Sequence, residues 1–147
     1  MSIQSKMSEL GLSFPPEKSN NYLADAIRVG PLVYTSGRTS PQKGKVGDAV
    51  SVELGAEAAR DATLRALFAV QSEVDDLDRI VRVVKLAGFV NCAEGFSQTS
   101  QVMNGGSDLL YALFGDERGR HLRTALGVYQ LPGDAAVEVE LVVQLED

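Results

Sequence analysis

The sequence predicts an α+β fold in which helices cover one face of a β-sheet. Runs of β-branched and apolar residues predict two strands near each end of the chain and one strand in the middle. Two longer segments repeat apolar residues at the three- and four-residue intervals of a helix. The resulting order is β-β-α-β-α-β-β with no internal repeat, which indicates a single layered domain.

The N-terminal part of the chain combines a polar arm with a first hairpin. Met1 to Pro16 is mostly polar and is expected to be an extended arm, followed by one domain over residues 17–147. The domain begins with two predicted strands, Ala24–Val29 and Leu32–Ser36, joined by the turn Gly30-Pro31.

The middle of the chain predicts a helix followed by a strand. Small and apolar residues recur at helical spacing over Val52–Val74, and charged residues occupy the opposite side, so this helix should lie on a sheet with one side in water. Arg79–Asn91 is rich in β-branched residues and predicts a strand. Arg82 and Lys85 are out of phase with each other there, which suggests a bulge.

A second helix is predicted over Glu94–Phe114, with Gly115 as its C-terminal cap. The run Asn104-Gly105-Gly106 weakens its middle. Ser107 or Asp108 could therefore start a shorter helix instead.

The C-terminal part predicts a second hairpin, formed by Thr124–Leu131 and Ala135–Leu145 around the turn Pro132-Gly133-Asp134. Five apolar residues alternate along its second strand and should form the core face: Val137, Val139, Leu141, Val143 and Leu145. Glu138, Glu140 and Gln144 then point to the other face. On the first strand, Leu126 and Val128 are expected on the core face.

This hairpin register places Arg123, Ala125, Gly127 and Tyr129 on the same face as the glutamates. Glu138 would lie opposite Gly127, about 13 Å along the strand from Arg123 at roughly 3.3 Å per residue. Because that face is too apolar for free surface and too charged for a core, it predicts a homo-oligomer. Arg123 of one subunit and Glu138 of its neighbour are expected to line a shared cleft.

Length and composition restrict the class of protein. The 147 residues suffice for one domain with a core, and the net charge of −6 disfavours a nucleic-acid or anionic-membrane partner. The single cysteine, Cys92, and the single histidine, His121, disfavour a disulfide framework and most zinc sites. His121 is expected in a surface loop. No signal peptide or membrane-spanning run is seen, so the expected compartment is the cytoplasm.

Several short motifs resemble, in order, those of one protein family. They are Tyr34-Thr35-Ser36-Gly37, Gly88-Phe89-Val90-Asn91, Arg123-Thr124, Leu131-Pro132 and Val137-Glu138-Val139-Glu140. The most specific part is the spacing from Arg123, which is nine residues to Pro132 and fifteen residues to Glu138. On these residues the chain resembles the Rid imine-deaminase family, also called YjgF or endoribonuclease L-PSP-like, from about Tyr22 to Leu145.

The resemblance implies a chorismate-mutase-like fold, with two helices on one face of a mixed sheet, assembled as a homotrimer. It implies cofactor-free, metal-free hydrolysis of 2-imino or enamino acids, such as 2-aminoacrylate, to 2-keto acids and ammonia. Arg123 would bind the substrate carboxylate, and Glu138 would position or activate water. Six more residues would line the pocket: Tyr22, Ser36, Gly37, Phe89, Asn104 and Ala125, which stands where many members carry a cysteine.

Other interpretations remain open at this stage. Arg123 could form an interface ion pair, and Glu140 instead of Glu138 could be the acid. Tyr22 could be an apolar plug, and Asn104 a helix-breaking turn residue. The cleft could bind small carboxylate metabolites without catalysis. Cleavage of RNA is a third alternative, which the acidic composition disfavours.

Overall fold

A six-stranded mixed sheet forms the centre of the computed structural model, which describes residues 1–14 and 22–146. The strands are β1 (Ala26–Val29), β2 (Leu32–Thr35), β3 (Arg38–Thr39), β4 (Ile80–Asn91), β5 (Leu122–Val128) and β6 (Val137–Leu145). The helices are α1 (Ile3–Glu9), α2 (Val52–Val70) and α3 (Thr99–Arg118). The sheet order is β1-β2-β6-β4-β5, with β3 also paired to β6. β4 and β5 are parallel, and the other pairs are antiparallel.

The first hairpin and the central strand lie where the sequence predicts them. β1 and β2 pair across a turn in which Gly30 has φ +58°, a value that favours glycine. β4 has two register irregularities in its N-terminal half, which confirms the bulge predicted from Arg82 and Lys85. The short β3 was not predicted, because two residues are too few to show an alternating pattern.

The predicted C-terminal hairpin is wrong. β5 does not pair with β6, because β4 lies between them and is hydrogen-bonded to both. The chain leaves β4, passes through α3 and returns as the parallel strand β5, which is the usual way to connect parallel neighbours. A short 3₁₀ turn at Pro132–Asp134 then leads to β6 on the other side of β4. The sequence pattern identified both strands but could not identify their partners.

The revised pairing also reverses the predicted orientation of β5. Cross-strand partners point to the same face, and Arg123 is the partner of Leu86, which pairs with the buried Leu141. Arg123 therefore lies on the face covered by helices. Leu126 lies on the opposite, open face with Glu138, since both are partners of Phe89. The alternation within β6 itself is confirmed, because its odd-numbered residues are all buried.

Helices α2 and α3 pack side by side on the core face of the sheet. α2 begins after the Ser51 cap and ends at Val70, four residues before the predicted end at Val74. α3 continues through Gly105 and Gly106, as in the main prediction, although it begins at Thr99 and not at Glu94. The alternative of a shorter helix capped by Ser107 or Asp108 is therefore wrong. A Cβ added at Gly105 would lie 1.9 Å from the backbone oxygen of Ala56 on α2, so this glycine permits close helix packing.

Near the C-terminal end of α3, Gly115 interrupts the helix at the position predicted for its cap. Gly115 has φ +81° and ψ 176°, which interrupts the helical geometry before a last turn ends at Arg118. Gly115 was the predicted cap, and its positive φ is the reason that a glycine is favoured there.

The predicted extended arm is wrong over Ile3–Glu9, which forms helix α1. The Ser2 side chain caps it by accepting a hydrogen bond from the Ser5 backbone N–H, and Ile3 and Met7 are buried. The described residues therefore form three α-helices where two were expected. A helix this short shows only one apolar pair at helical spacing, which is too little to predict it. None of the helices in residues 1–14 and 22–146 meets the length and hydropathy needed to cross a membrane.

Candidate functional site

Arg123 is held by two side chains of α3. Its Nη1 donates to Asn104 Oδ1 at 2.8 Å and to Ser107 Oγ at 3.2 Å. Asn104 and Ser107 are three residues apart on the helix and therefore share one face. Nη1 carries two hydrogens, so both are used. Within the described part of the chain, the Nε and Nη2 donors keep no such partner, and that edge can bind a planar carboxylate with two parallel hydrogen bonds.

Ser107 connects Arg123 to the single histidine of the chain. Its hydroxyl is 2.9 Å from His121 Nε2, and His121 Nδ1 is 2.6 Å from the backbone oxygen of Gly119. The imidazole also packs on the Tyr111 ring, with centroids 5.5 Å apart. His121 lies in the loop between α3 and β5, as expected, but its hydrogen bonds to Ser107 and Gly119 were not predicted. We call Asn104, Ser107, His121 and Arg123 the arginine cluster.

Glu138 lies on the open face of the sheet, beside Gly37. A Cβ added at Gly37 would be 3.1 Å from both Cδ and Oε2 of Glu138, so the glycine provides room for the carboxylate. Partial burial, and secondarily the charge of Glu140, raise the pKa of Glu138 above its ordinary value. Glu140 is exposed, so Glu138 has the more distinctive environment of the two acids.

The other predicted pocket residues on this side come from the loops around β2 and from β4. Ser36 Oγ donates to the Ala24 backbone oxygen at 2.7 Å, which fixes the segment leading to Gly37. Tyr22 lies in the loop before β1 and is 91% exposed in the protomer. Phe89 is half-buried and is the cross-strand neighbour of Glu138. We call Ser36, Gly37, Phe89 and Glu138 the glutamate cluster.

The structure does not bring the two clusters together within one chain. Arg123 and Glu138 lie on strands that flank β4, on opposite faces of the sheet and three register positions apart. Strand spacings place their Cα atoms roughly 14 Å apart. The prediction that they do not meet within one chain is therefore right, although the register that led to it was wrong. Ala125, expected on the glutamate face, lies instead on the face of Arg123, and its backbone oxygen accepts a hydrogen bond from Thr99.

The open face of the sheet carries exposed apolar side chains around the glutamates. Five large ones lie on β1, β2 and β5: Ile27, Val29, Tyr34, Leu122 and Leu126. No helix of the described residues covers this face, because α2 and α3 both pack on the other one. The sheet order places three of them on β1 and β2 at one side of the glutamates and two on β5 at the other. Exposed apolar surface is typical of sites of protein association.

Sequence reasoning missed Ser107 and His121. Ser107 could have been found from its spacing of three residues after Asn104 on a continuous helix. The two intervening glycines weakened the helix prediction at this point, so the spacing was not used. His121 carries no local pattern, because its partners on α3 become neighbours only when the loop after the helix folds back.

The described residues contain no group of three or more His, Cys, Asp or Glu side chains arranged to hold a metal ion. Two side chains of the arginine and glutamate clusters carry chemistry of their own. A guanidinium edge can bind an anion, and a carboxyl group with a raised pKa can accept a proton.

Known proteins resemble the chain over almost its whole length. A family model described as Endoribonuclease L-PSP matches residues 14–145. Protein TCP17 of Trypanosoma cruzi is 37% identical over 153 residues, covering 99% of this chain and 95% of TCP17. The crystal structure of Atu1372 from Agrobacterium tumefaciens, a protein of unknown function, superposes with a TM-score of 0.90 at 33% identity, covering 99% of this chain and 94% of that one.

A more distant structure shares the fold. The YjgF gene product of E. coli superposes with a TM-score of 0.56 at 20% identity, covering 86% of this chain and 90% of that one. The α+β arrangement with a mixed sheet is thus common to both proteins.

Proposed function

The chain belongs to the Endoribonuclease L-PSP family, and from that premise we propose that it hydrolyses small 2-imino or enamino acids of the 2-aminoacrylate type. The products are a 2-keto acid and ammonia, and the reaction takes place in clefts between the subunits of a homotrimer. The observation that carries the proposal is the geometry of Arg123, whose Nη1 is occupied by α3 while its Nε and Nη2 donors remain for a substrate carboxylate.

Two features of the protomer support an assembly with shared clefts, and the family resemblance is the basis for proposing a trimer. The arginine cluster and the glutamate cluster lie on opposite faces of the sheet, so one chain cannot offer both to one small substrate. The open face carries exposed apolar side chains around the glutamates and is uncovered by helices, and closed cyclic assembly would bury it against neighbouring subunits. Arg123 of one subunit and Glu138 of the next would then face the same cleft.

Glu138 is the proposed proton acceptor. Its raised pKa makes the carboxylate a stronger base than an exposed glutamate. Water would add to the imine carbon as Glu138 accepts a proton. That proton passes to the imine nitrogen, which gives a carbinolamine. Transfer of the hydroxyl proton to the same nitrogen then lets the C=O bond form as the C–N bond breaks, and the nitrogen leaves as ammonia. An enamine enters this route after it takes a proton on its terminal carbon and loses one from nitrogen, which makes it the imine. Because an imine is already electrophilic, this route uses no protein nucleophile and no cofactor.

The remaining candidates would form the pocket walls. Asn104 positions Arg123, and Gly37 gives Glu138 room. Ser36, which precedes Gly37, and Tyr22, in the loop before β1, would close that end of the cleft, and Phe89 would form an apolar wall. Ala125 would contribute only its small side chain at the position where many members have cysteine. A cytoplasmic location stays a prediction.

The direct test uses 2-aminoacrylate generated in situ by a dehydratase, with keto-acid release followed over time. The wild-type protein should accelerate release, and Glu138→Gln should lower kcat by about 10²- to 10⁴-fold, the usual range for general acid-base assistance. Arg123→Ala should raise KM. Gln101→Ala, an exposed substitution on α3, is the control that should leave both constants unchanged.

Two other results would contradict the proposal. Binding of pyruvate without any acceleration by wild type would identify a carboxylate-binding module instead of an enzyme. Salt-dependent binding and cleavage of RNA, with no keto-acid release, would point to the activity in the family's name, against the expectation from the net charge of −6.

A further inference from the structure

The hydrogen-bond directions in the arginine cluster follow from which atoms can donate. The Gly119 backbone oxygen only accepts, so His121 Nδ1, 2.6 Å away, must carry the hydrogen. In the neutral imidazole, Nε2 is then a bare acceptor, and the Ser107 hydroxyl 2.9 Å away donates to it. The Ser107 oxygen therefore turns its lone pairs toward Arg123 Nη1, which can only donate.

We propose that His121 is a positioning residue, which sets the direction of Arg123 through the hydroxyl of Ser107. With the other tautomer, Nε2 would donate to Ser107 and the serine proton could turn toward the guanidinium, which has no acceptor. The bond to Gly119 prevents that arrangement. This inference rests on the proposed function, because positioning matters most if Arg123 binds a substrate carboxylate.

The Ser107 hydroxyl, which joins His121 to Arg123, is shielded from water. Ser107 is 7% exposed, so water cannot readily replace either of its partners. The Tyr111 ring packs on the imidazole and restricts its rotation. Asn104 Oδ1 holds the second Nη1 hydrogen, so the guanidinium plane is fixed at two points. The Nε and Nη2 donors are then presented in one fixed direction to the carboxylate.

The first test measures the tautomer directly in the full-length protein. The chain contains one histidine, so its imidazole ¹⁵N signals need no assignment by mutation. We expect a protonated Nδ1 and an unprotonated Nε2 in the neutral ring, whereas free histidine prefers the opposite arrangement. A neutral ring protonated at Nε2 would overturn the proposal.

The second test compares two isosteric replacements of the ring. His121→Gln can place an amide oxygen near the Nε2 position and accept from Ser107, whereas His121→Asn reaches Gly119 but ends short of Ser107. Pyruvate is the probe, and its Kd is measured by titration. We expect His121→Asn to weaken binding roughly tenfold, the value of one hydrogen bond, and His121→Gln to restore most of it.

The Ser107→Ala variant tests the route of the effect. If His121 acts only through this hydroxyl, the double variant Ser107→Ala/His121→Asn should bind pyruvate as weakly as Ser107→Ala alone. Additive losses, or equal Kd values for wild type, His121→Gln and His121→Asn, would contradict the proposal.

A ligand-free measurement separates this inference from the proposed function. The ¹⁵N order parameter of the Arg123 Nε–H group should be high in wild type and in His121→Gln, and low in His121→Asn. If it follows that pattern while wild type binds no pyruvate, the positioning role stands and the carboxylate function fails. If Arg123 is equally rigid in all three proteins, the positioning role is wrong.

Discussion

Replacing Gly105 by alanine should destabilise the fold by forcing α2 and α3 apart. The added Cβ would lie 1.9 Å from the Ala56 backbone oxygen, whereas ordinary contact begins at 3.4 Å. The helices would have to separate by 1.5 Å, the difference between these two distances. The obstacle is backbone, so no side-chain rotation can relieve it.

Two opposing effects decide the magnitude of this change. Overpacking of a well-packed contact costs about 3 kcal/mol at the upper end of its usual range. Alanine is a better helix former than glycine by about 1 kcal/mol, which offsets part of that cost. The expected net loss is about 2 kcal/mol, which lowers Tm by roughly 4–8 °C for a chain of this length.

Thermal unfolding followed by circular dichroism measures the effect of Gly105→Ala. Gln101→Ala, on the exposed side of the same helix, is the control and should change the free energy of unfolding by less than about 0.5 kcal/mol. An unchanged or higher Tm for Gly105→Ala would refute the close helix contact and, with it, the placement of α3 behind Arg123.

Three further predictions concern other parts of the structure. Glu138→Gln should raise Tm at neutral pH, because a raised folded-state pKa means that ionisation of Glu138 destabilises the fold. The gain in Tm should vanish as pH falls through that pKa. A gain in Tm that is independent of pH would contradict the assigned cause. Leu126→Asp, on the open face, should yield folded protomers in analytical ultracentrifugation, and an intact trimer would argue against association through that face. Ile3→Ala should cost about 2–5 kcal/mol in denaturant unfolding, because Ile3 is buried; no loss would mean that α1 does not belong to the core.

The sequence predicts the kinds of element better than their partners. Period-two alternation identified β6 and its buried face correctly, because alternation is a property of one strand. The pairing of β5 with β4 depends on how α3 packs across the sheet, which no local pattern encodes. One wrong pairing reversed the orientation of Arg123 and Ala125.

In the candidate site, too, the sequence predicted the family motifs but not the contacts between distant segments. The Endoribonuclease L-PSP resemblance, drawn from the Arg123 and Glu138 motifs, is confirmed as family membership by the family model and by TCP17. Ser107 and His121 stayed hidden because their contacts join a helix to a later loop. The assignment of catalytic roles to Arg123 and Glu138 stays a prediction.

Mixed trimers test the composite cleft most directly. Arg123→Ala subunits, impaired in KM, and Glu138→Gln subunits, impaired in kcat, are refolded together at equal amounts. Keto-acid release is measured at a 2-aminoacrylate concentration at which each variant alone is far slower than wild type. If the two side chains come from neighbouring subunits, about one cleft in four regains both, so the mixture should recover up to roughly a quarter of wild-type activity. If both act from one chain, no cleft regains the pair, and a mixture as inactive as the single variants would contradict the account.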